Sequence, residues 1–402
     1  MMMDWSWDVA RKLCDNIQLP AMFVDLDSLE ANIDSIKSVA SERRKKVRLA
    51  TKSIRVPALI KMIMDRGAPV FDGLMCYSTS EADFLSESGF ADILMGYPTP
   101  LRHDLENVAA VSRRGHKIMV MADSIQQLEI YEKFWKSISL KPLQVCVDID
   151  VSLRVAGQHF GVQRSSIRSL GDFDALLENA ARFPSLTVSG VMAYEAQVAG
   201  LGDTSPFGQL LNPVKSMIRS RSKKFVACRR AEVSLAVKNR GLSLDVFNGG
   251  GSGSVASTSS ESCVTEVTVG SGIMNSHLFD YFSDNSYSPA LCFALPVTRH
   301  PERDIITCQS GGFVASGEPG WDKCPVVFLP GNLVPISHEG FGEVQTPLRG
   351  ERARTLNIGD PIFFRPAKAG EPAERFSHYH LVRGNKVQQT VPTYRGLGKT
   401  FY

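Results

Sequence analysis

Between residues 47 and 269 the chain repeats one pattern, a short apolar or β-rich run followed by a stretch of helical spacing. The runs fall at 47–50, 73–76, 92–96, 117–121, 143–149, 186–193, 243–247 and 264–269. Most of the gaps carry apolar residues three and four apart, predicting helices over 56–66, with Pro57 in the first turn, and over 80–88, 126–137 and 174–182. Ser78-x-x-Glu81 has the form of a helix-starting capping box, and Gly67, Gly89 and Gly115 are candidate stops. Eight strands separated by helices predict a (β/α)8 barrel, with a doubly wound open sheet as the rival architecture.

The pattern ends near residue 285. Beyond it, Pro and Gly punctuate short runs such as LCFALPV, PVVFLP, DPIFFR and HYHLV, which predict an all-β domain over 286–402. The division expected is therefore an N-terminal segment 1–20, an α/β barrel over 21–285 and the C-terminal β domain. The strand at 21–25 exceeds the barrel's eight and is a candidate for the C-terminal sheet. Asp27-Ser-Leu-Glu30 reads as a second capping box, opening a helix through Leu29, Ile33, Ile36 and Ala40. The basic run Arg43–Lys46 that follows reads as a solvated helix end.

Charge argues against a nucleic-acid or membrane-surface binder, since 45 Lys+Arg stand against 42 Asp+Glu with no basic or acidic block. No apolar run approaches the roughly 20 residues a bilayer span needs. The opening MMMDWSWDVARKLCDN, with Asp4, Asp8, Arg11 and Asp15, has no apolar core and does not read as a signal peptide. Eight cysteines, at 14, 76, 146, 228, 263, 292, 308 and 324, form no CxxC. Reduced thiols in a cytoplasmic protein are the expectation, and a cysteine zinc site is not.

Lys52 directly follows the first barrel strand, in LATKSIRVP. Catalytic groups of barrels project from the carboxyl ends of strands, where a lysine can be desolvated enough to act as a Schiff-base nucleophile. Alone, a strand-end lysine is more often just solvated. The second signal is glycine: Asn248-Gly249-Gly250-Gly251-Ser252-Gly253 follows the seventh strand, and Gly270-Ser271-Gly272 the eighth. Backbone N–H groups there can converge on an anion, and barrels often hold phosphate with those two loops. The competing reading is a flexible linker, since GGGSGSVASTSSES is of low complexity. A Schiff-base lysine and a phosphate cradle together suggest pyridoxal 5'-phosphate (PLP).

The chain also resembles the alanine-racemase-type PLP enzymes of fold type III, nearest the D-threonine aldolase and D-serine dehydratase branch and its amino acid deaminase/aldolase group. Carriers of the resemblance are PAMFVDLDSLEANI at 20–33, ATKSIRVPAL at 50–59, GVMAYEAQVAG at 190–200, FNGGGSGS at 247–254, SGEPGWDKCP at 316–325, GEVQTP at 342–347, FFRPAKAGE at 363–371 and VPTYRG at 391–396. It implies a Schiff base on Lys52, a barrel plus β domain, and a homodimer; the charge balance already argues against a nucleic-acid or membrane partner. The glycine loops would be the phosphate cup. Tyr194 would sit near the cofactor ring, against the alternative of a core aromatic. Arg154 would contact the cofactor or the substrate carboxylate, against a surface ion pair, and His159 is the weaker acid–base candidate, against a loop residue.

The resemblance further implies a PLP-dependent lyase acting on a D-3-hydroxy amino acid, with aldol cleavage first, and D-serine dehydration or racemisation as alternatives. Racemisation would need a second base, for which Tyr394 is a candidate. A non-catalytic PLP-binding protein is the rival from another class. Metal-dependent relatives hold a divalent ion beside the substrate hydroxyl with a His-x-Cys or His-x-Asp pair, but the matching place here reads Pro366-Ala-Lys368. His378 and His380 would share one strand face and are weak candidates for a metal, lacking a nameable third ligand.

Overall fold

The computed structural model describes residues 5–155 and 157–402; Asp4 of the opening segment lies outside them. In chain order the first elements are α1 (Trp7–Leu13), β1 (Ala21–Asp25), α2 (Leu26–Glu42), β2 (Lys46–Ala50), α3 (Pro57–Gly67) and β3 (Phe71–Cys76). Next come α4 (Thr79–Glu87), β4 (Asp92–Pro98), α5 (Arg102–Arg113), β5 (Lys117–Ala122), α6 (Ile125–Trp135) and β6 (Leu143–Asp148). A small hairpin, β7 (Leu153–Val155) and β8 (Gln158–Phe160), precedes α7 (Leu170–Ala180) and β9 (Leu186–Met192). Then follow α8 (Ala196–Ala199), α9 (Asn212–Asn239), β10 (Val246–Gly249), α10 (Val255–Ser259), β11 (Glu266–Val269) and α11 (Ser271–Met274).

Strands β2, β3, β4, β5, β6, β9, β10 and β11 close a parallel barrel in that order, with β11 pairing β2. All eight expected strands are present, and the open-sheet rival is excluded. Alternate strand residues point inward. Met75, Leu94, Met119, Met121, Cys146 and Met192 form an apolar cluster drawn from five strands in the lumen. At the amino-terminal end of the barrel lies an ionic layer. Arg48, 2% exposed, binds Glu266 through Nε (2.6 Å) and Nη2 (2.9 Å) and Asp92 through Nη1 (2.6 Å). A Cβ on Gly73 would come within 2.4 Å of the Arg48 guanidinium, so glycine makes its room.

The remaining strands are β12 (Leu291–Glu302), β13 (Ile305–Gln309), β14 (Val326–Leu329), β15 (Val334–Pro335), β16 (Gln345–Arg349), β17 (Pro361–Arg365), β18 (His378–Arg383) and β19 (Lys386–Pro392). They form the C-terminal sheet, and β1 joins it, antiparallel to β12 and parallel to β18. All five β1 residues are buried because both its faces are covered. Phe23 packs with Trp5, Ala10 and Leu13 of the opening segment, while Met22 and Val24 enter the core shared with the barrel helices.

Two expected capping boxes are corrected. Helix α2 starts earlier, on Asp25, whose carboxylate accepts from the Asp27 N–H at 3.1 Å; Asp27 and Glu30 instead bind Arg383. Ser78 is the N-cap of α4 but makes no side-chain cap. Its supposed partner Glu81 is buried and accepts from the Tyr394 hydroxyl at 2.9 Å. A capping box does form at α7, from Ser169 and Asp172, and that helix starts at Leu170, four residues before its expected start. Among the described residues no helix is long and apolar enough to cross a membrane, and all eight cysteines are free thiols.

Candidate active site

Above the carboxyl ends of the strands lies a cavity of ≈ 720 Å³. Lys52 enters it from the short 3-10 turn Thr51–Ser53 that ends β2. Its ammonium lies 4.2 Å from the centre of the Tyr77 ring. The side chain is exposed to the cavity but densely surrounded. Burial pushes its amine down to about 8, with repulsion from Arg164, Lys368 and Arg55 adding and Glu371 opposing. The backbone carbonyl of Lys52 accepts from Arg55 Nε at 2.8 Å, and Arg55 pairs with Glu374 at 2.7 Å, which fixes the turn.

The two glycine loops form the wall at the ends of β10 and β11. Gly250, Gly251, Ser252, Gly270 and Ser271 line the cavity. Ser252 Oγ accepts from the N–H groups of Gly270 (3.1 Å) and Gly272 (2.9 Å), which ties the loops together. Its own hydrogen is then directed elsewhere. Ser271 Oγ lies 3.1 Å from Ser53 Oγ, linking the same cluster to the lysine turn. A Cβ on Gly251 would stand 2.6 Å from Ala199 Cβ, and one on Gly270 2.5 Å from Ser53 Oγ. The linker reading fails, because these loops are packed. Gly249, Gly253 and Gly272 do not line the cavity; their missing Cβ atoms make room for Arg230, Phe282 and Ser252 respectively.

Behind the first loop stands Glu195, 1% exposed. It accepts from the Gly250 N–H at 3.0 Å and the Ser254 hydroxyl at 2.8 Å, and also from Thr258 and Arg230. Burial raises this carboxyl, but Arg230 and the hydrogen bonds outweigh it and hold it below the usual range. Asn248 lines the cavity, yet its amide nitrogen donates to Glu266 (2.7 Å) and Thr268 (2.8 Å), so it belongs first to the ionic layer.

Tyr194 follows β9 and lines the cavity half-buried, which excludes the plain core reading. Burial pushes its phenol up to about 12, so it stays protonated and can donate. Arg154 is corrected: it lies on β7, exposed and away from the cavity. The arginine in place is Arg164, whose Nε donates to Asp148 at 2.8 Å and Nη2 to the Gly96 carbonyl at 3.1 Å. Its guanidinium lies 6.0 Å from the Tyr194 ring centre. Burial raises Asp148 to about 6, against the opposing pull of Arg164. His159, opposite Arg154 on β8, does not line the cavity, and its ring nitrogens have no hydrogen-bond partner among the described residues.

Tyr394 is also corrected, being 1% exposed with its hydroxyl on Glu81. His378 and His380 do share a face of β18, but their Nδ1 atoms meet Ser377 (3.0 Å) and Thr390 (2.9 Å), and neither lines the cavity. Among the described residues no group of three or more His, Cys, Asp or Glu could hold a metal. Lys368 does line the cavity.

These donors fit PLP. A lysine amine of lowered pKa serves its aldehyde, hydroxyl-bearing loops without Cβ obstruction serve its phosphate, and Tyr194 and Arg164 flank the space between.

Comparison with known proteins gives the same direction. A 3-hydroxy-D-aspartate aldolase of Paracoccus denitrificans is 24% identical over 95% of this chain and 93% of its own length. The solved D-threonine aldolase of Filomicrobium marinum matches with a TM-score of 0.80 at 20% identity, covering 94% of this chain and 96% of that one. The D-threo-3-hydroxyaspartate dehydratase of Delftia sp. HT23 gives a TM-score of 0.74 at 17% identity over 94% and 98%. The family described as alanine racemase, N-terminal domain, matches residues 24–274. With its barrel, its strand-end lysine and more than half its length inside that match, the chain belongs to the alanine racemase N-terminal domain family.

Proposed function

We propose that this protein is a PLP-dependent lyase that cleaves a D-3-hydroxy amino acid between Cα and Cβ. The observation that carries the reading is Lys52, a lysine with its amine pushed down to about 8, facing a packed glycine-and-serine cradle across one cavity. The relatives named for 3-hydroxy-D-aspartate and D-threonine supply the substrate class. PLP supplies an electron sink for the bond broken at Cα. Lys52 is the residue that would hold the cofactor, through its amine of lowered pKa. The hydroxyls of Ser252 and Ser271, in loops that the glycines keep open, would hold the phosphate. Arg164, aligned by Asp148, presents a planar cation to a cofactor or substrate oxygen.

We also read the protein as a homodimer. Leu210 is 95% exposed, and Leu211, Val214 and Met217 are exposed beside it. They flank Lys215, which lines the cavity.

The test is product analysis of the PLP-loaded protein with D- and L-threonine and D- and L-serine. Glycine and acetaldehyde from D-threonine alone are expected. Keto acid and ammonia would select dehydration, and no product from any of the four would sink the lyase reading.

The lysine also sets a pH dependence for cofactor capture. An ordinary lysine is almost wholly protonated at pH 7, whereas an amine of pKa about 8 is roughly one-tenth neutral there. Because burial disfavours the charged form, the neutral nucleophile increases as pH rises and is nearly complete above about 9. Stopped-flow absorbance of the cofactor-free protein mixed with PLP is expected to show a rate rising from pH 6, half-maximal near 8 and levelling above about 9. A rise continuing to pH 10 would contradict the lowered pKa.

A further inference from the structure

Segment 366–371 leads from the end of β17 to the lysine turn and is fixed at several points. The Pro366 carbonyl accepts from the His277 N–H at 3.1 Å. Arg365 before it donates to the Asn275 carbonyl at 2.9 Å and pairs with Asp280. Gly370 rests directly on the Lys52 backbone, so closely that a Cβ would lie 1.8 Å from the Lys52 carbonyl oxygen. Lys368, two residues away, therefore has a determined position relative to Lys52.

Its ammonium donates to the Ser316 carbonyl (2.9 Å) and hydroxyl (2.8 Å) and pairs with Glu371 at 3.1 Å. Glu371 accepts from the Ser316 N–H and hydroxyl, both at 2.7 Å. Burial raises that carboxyl, but Ser316 and Lys368 more than offset it and hold it below the usual range. The Lys368 side chain is still 37% exposed, on the cavity wall.

The donor set here does not fit a divalent metal. A protonated amine repels one and has no lone pair to offer. Among the described residues, the two carboxylates that line the cavity, Glu371 and Asp322, are each already paired with a lysine.

We infer that Lys368, held by Ser316 and Glu371, is the cavity's own cation for the oxygen on the substrate's Cβ, and that the reaction in this protein needs no divalent metal. The inference rests on the reading of the cavity as a 3-hydroxy amino acid site. In aldol cleavage the Cα–Cβ bond breaks and the bonding pair stays with Cα. The hydroxyl proton passes to water in the cavity, and the Cβ oxygen becomes the carbonyl of the departing aldehyde. Cα then takes up a proton from water to give glycine, so that the two proton transfers balance. A fixed ammonium stabilises the negative charge that builds on that oxygen before the carbonyl forms.

The experiment compares PLP-loaded wild type, Lys368→Met and Lys368→Arg. Wild type dialysed against EDTA is expected to keep its rate with D-threonine, to gain nothing from Mn²⁺, and to bind no Mn²⁺ by electron paramagnetic resonance. Lys368→Met is expected to lose on the order of 10²-fold in kcat, the loss typical of one oxyanion donor. Its cofactor absorbance should be unchanged, which shows it folded, and Lys368→Arg should recover part of the rate. Spectral titration adds a readout independent of turnover: wild type should bind D-serine more tightly than D-alanine, and Lys368→Met should not distinguish them. Loss of rate in EDTA with recovery in Mn²⁺, or a Lys368→Met protein that keeps both kcat and the D-serine preference, would overturn the inference. A wild type that turns over no hydroxy amino acid but keeps a Lys368-dependent preference for D-serine would sink the lyase reading and leave the cation site standing. A wild type that binds D-serine no better than D-alanine would overturn the cation site itself.

Discussion

Lys52→Ala protein is expected to fold, to lack the absorbance of a protein-bound Schiff base, and to turn over D-threonine at least ~10³-fold more slowly than wild type. Folding should survive because the Lys52 side chain is exposed to the cavity, and its loss leaves no polar partner unpaired in the core. Its backbone carbonyl, which does anchor Arg55, is unaffected by the substitution. Loss of one cation should also ease the crowding among Lys52, Arg164, Lys368 and Arg55. Thermal denaturation with and without PLP separates the two effects. An unchanged melting temperature without cofactor, together with loss of the Schiff-base band, is the expected pair. Retained activity would remove Lys52 from the chemistry.

Glu195→Ala is expected to cost about 3–5 kcal/mol of stability, the penalty of breaking a buried ion pair. Arg230 is 0% exposed and would keep only Glu261 as a charged partner. The substitution also strips acceptors from the Gly250 N–H and from the hydroxyls of Ser254 and Thr258. Each unpaired buried group costs about 1–3 kcal/mol. Since those groups hold the first glycine loop, PLP affinity should fall by on the order of 10-fold even where the variant remains folded. Urea denaturation measures the first effect, and fluorescence titration with PLP measures the second. Equal stability of Glu195→Ala and wild type would mean that the loop holds its own shape.

The barrel was legible because buried parallel strands are written as short apolar runs, and all eight fell where a strand formed. Helix α9 was not. Its buried positions, Arg219, Ser222, Val226, Arg230, Val233 and Val237, follow helical spacing closely. Two of them are arginines recruited to pair with Asp203, Asp284, Glu195 and Glu261, so a hydrophobic pattern cannot show them. The same recruitment hid Glu81, which resembles a capping residue in sequence but serves two tyrosines in space.

In the site, Lys52 and the cavity-facing glycines were readable from strand ends, and Tyr194 from the family resemblance. Arg164 was missed because the β7–β8 hairpin intervenes after β6. It leaves Arg154 outside and brings the arginine ten residues later back onto Asp148. Nothing local in the sequence marks that detour. Glu195 stands beside Tyr194 in the GVMAYEAQVAG run, and an acidic residue following a barrel strand was the available signal for it.

The most direct measurement is to reduce the PLP-loaded protein with borohydride, digest it, and locate the pyridoxyl group by mass spectrometry. The arrangement of the cavity predicts a single modified peptide, with the adduct on Lys52. An adduct on Lys368 or another lysine, or no adduct at all, would contradict it.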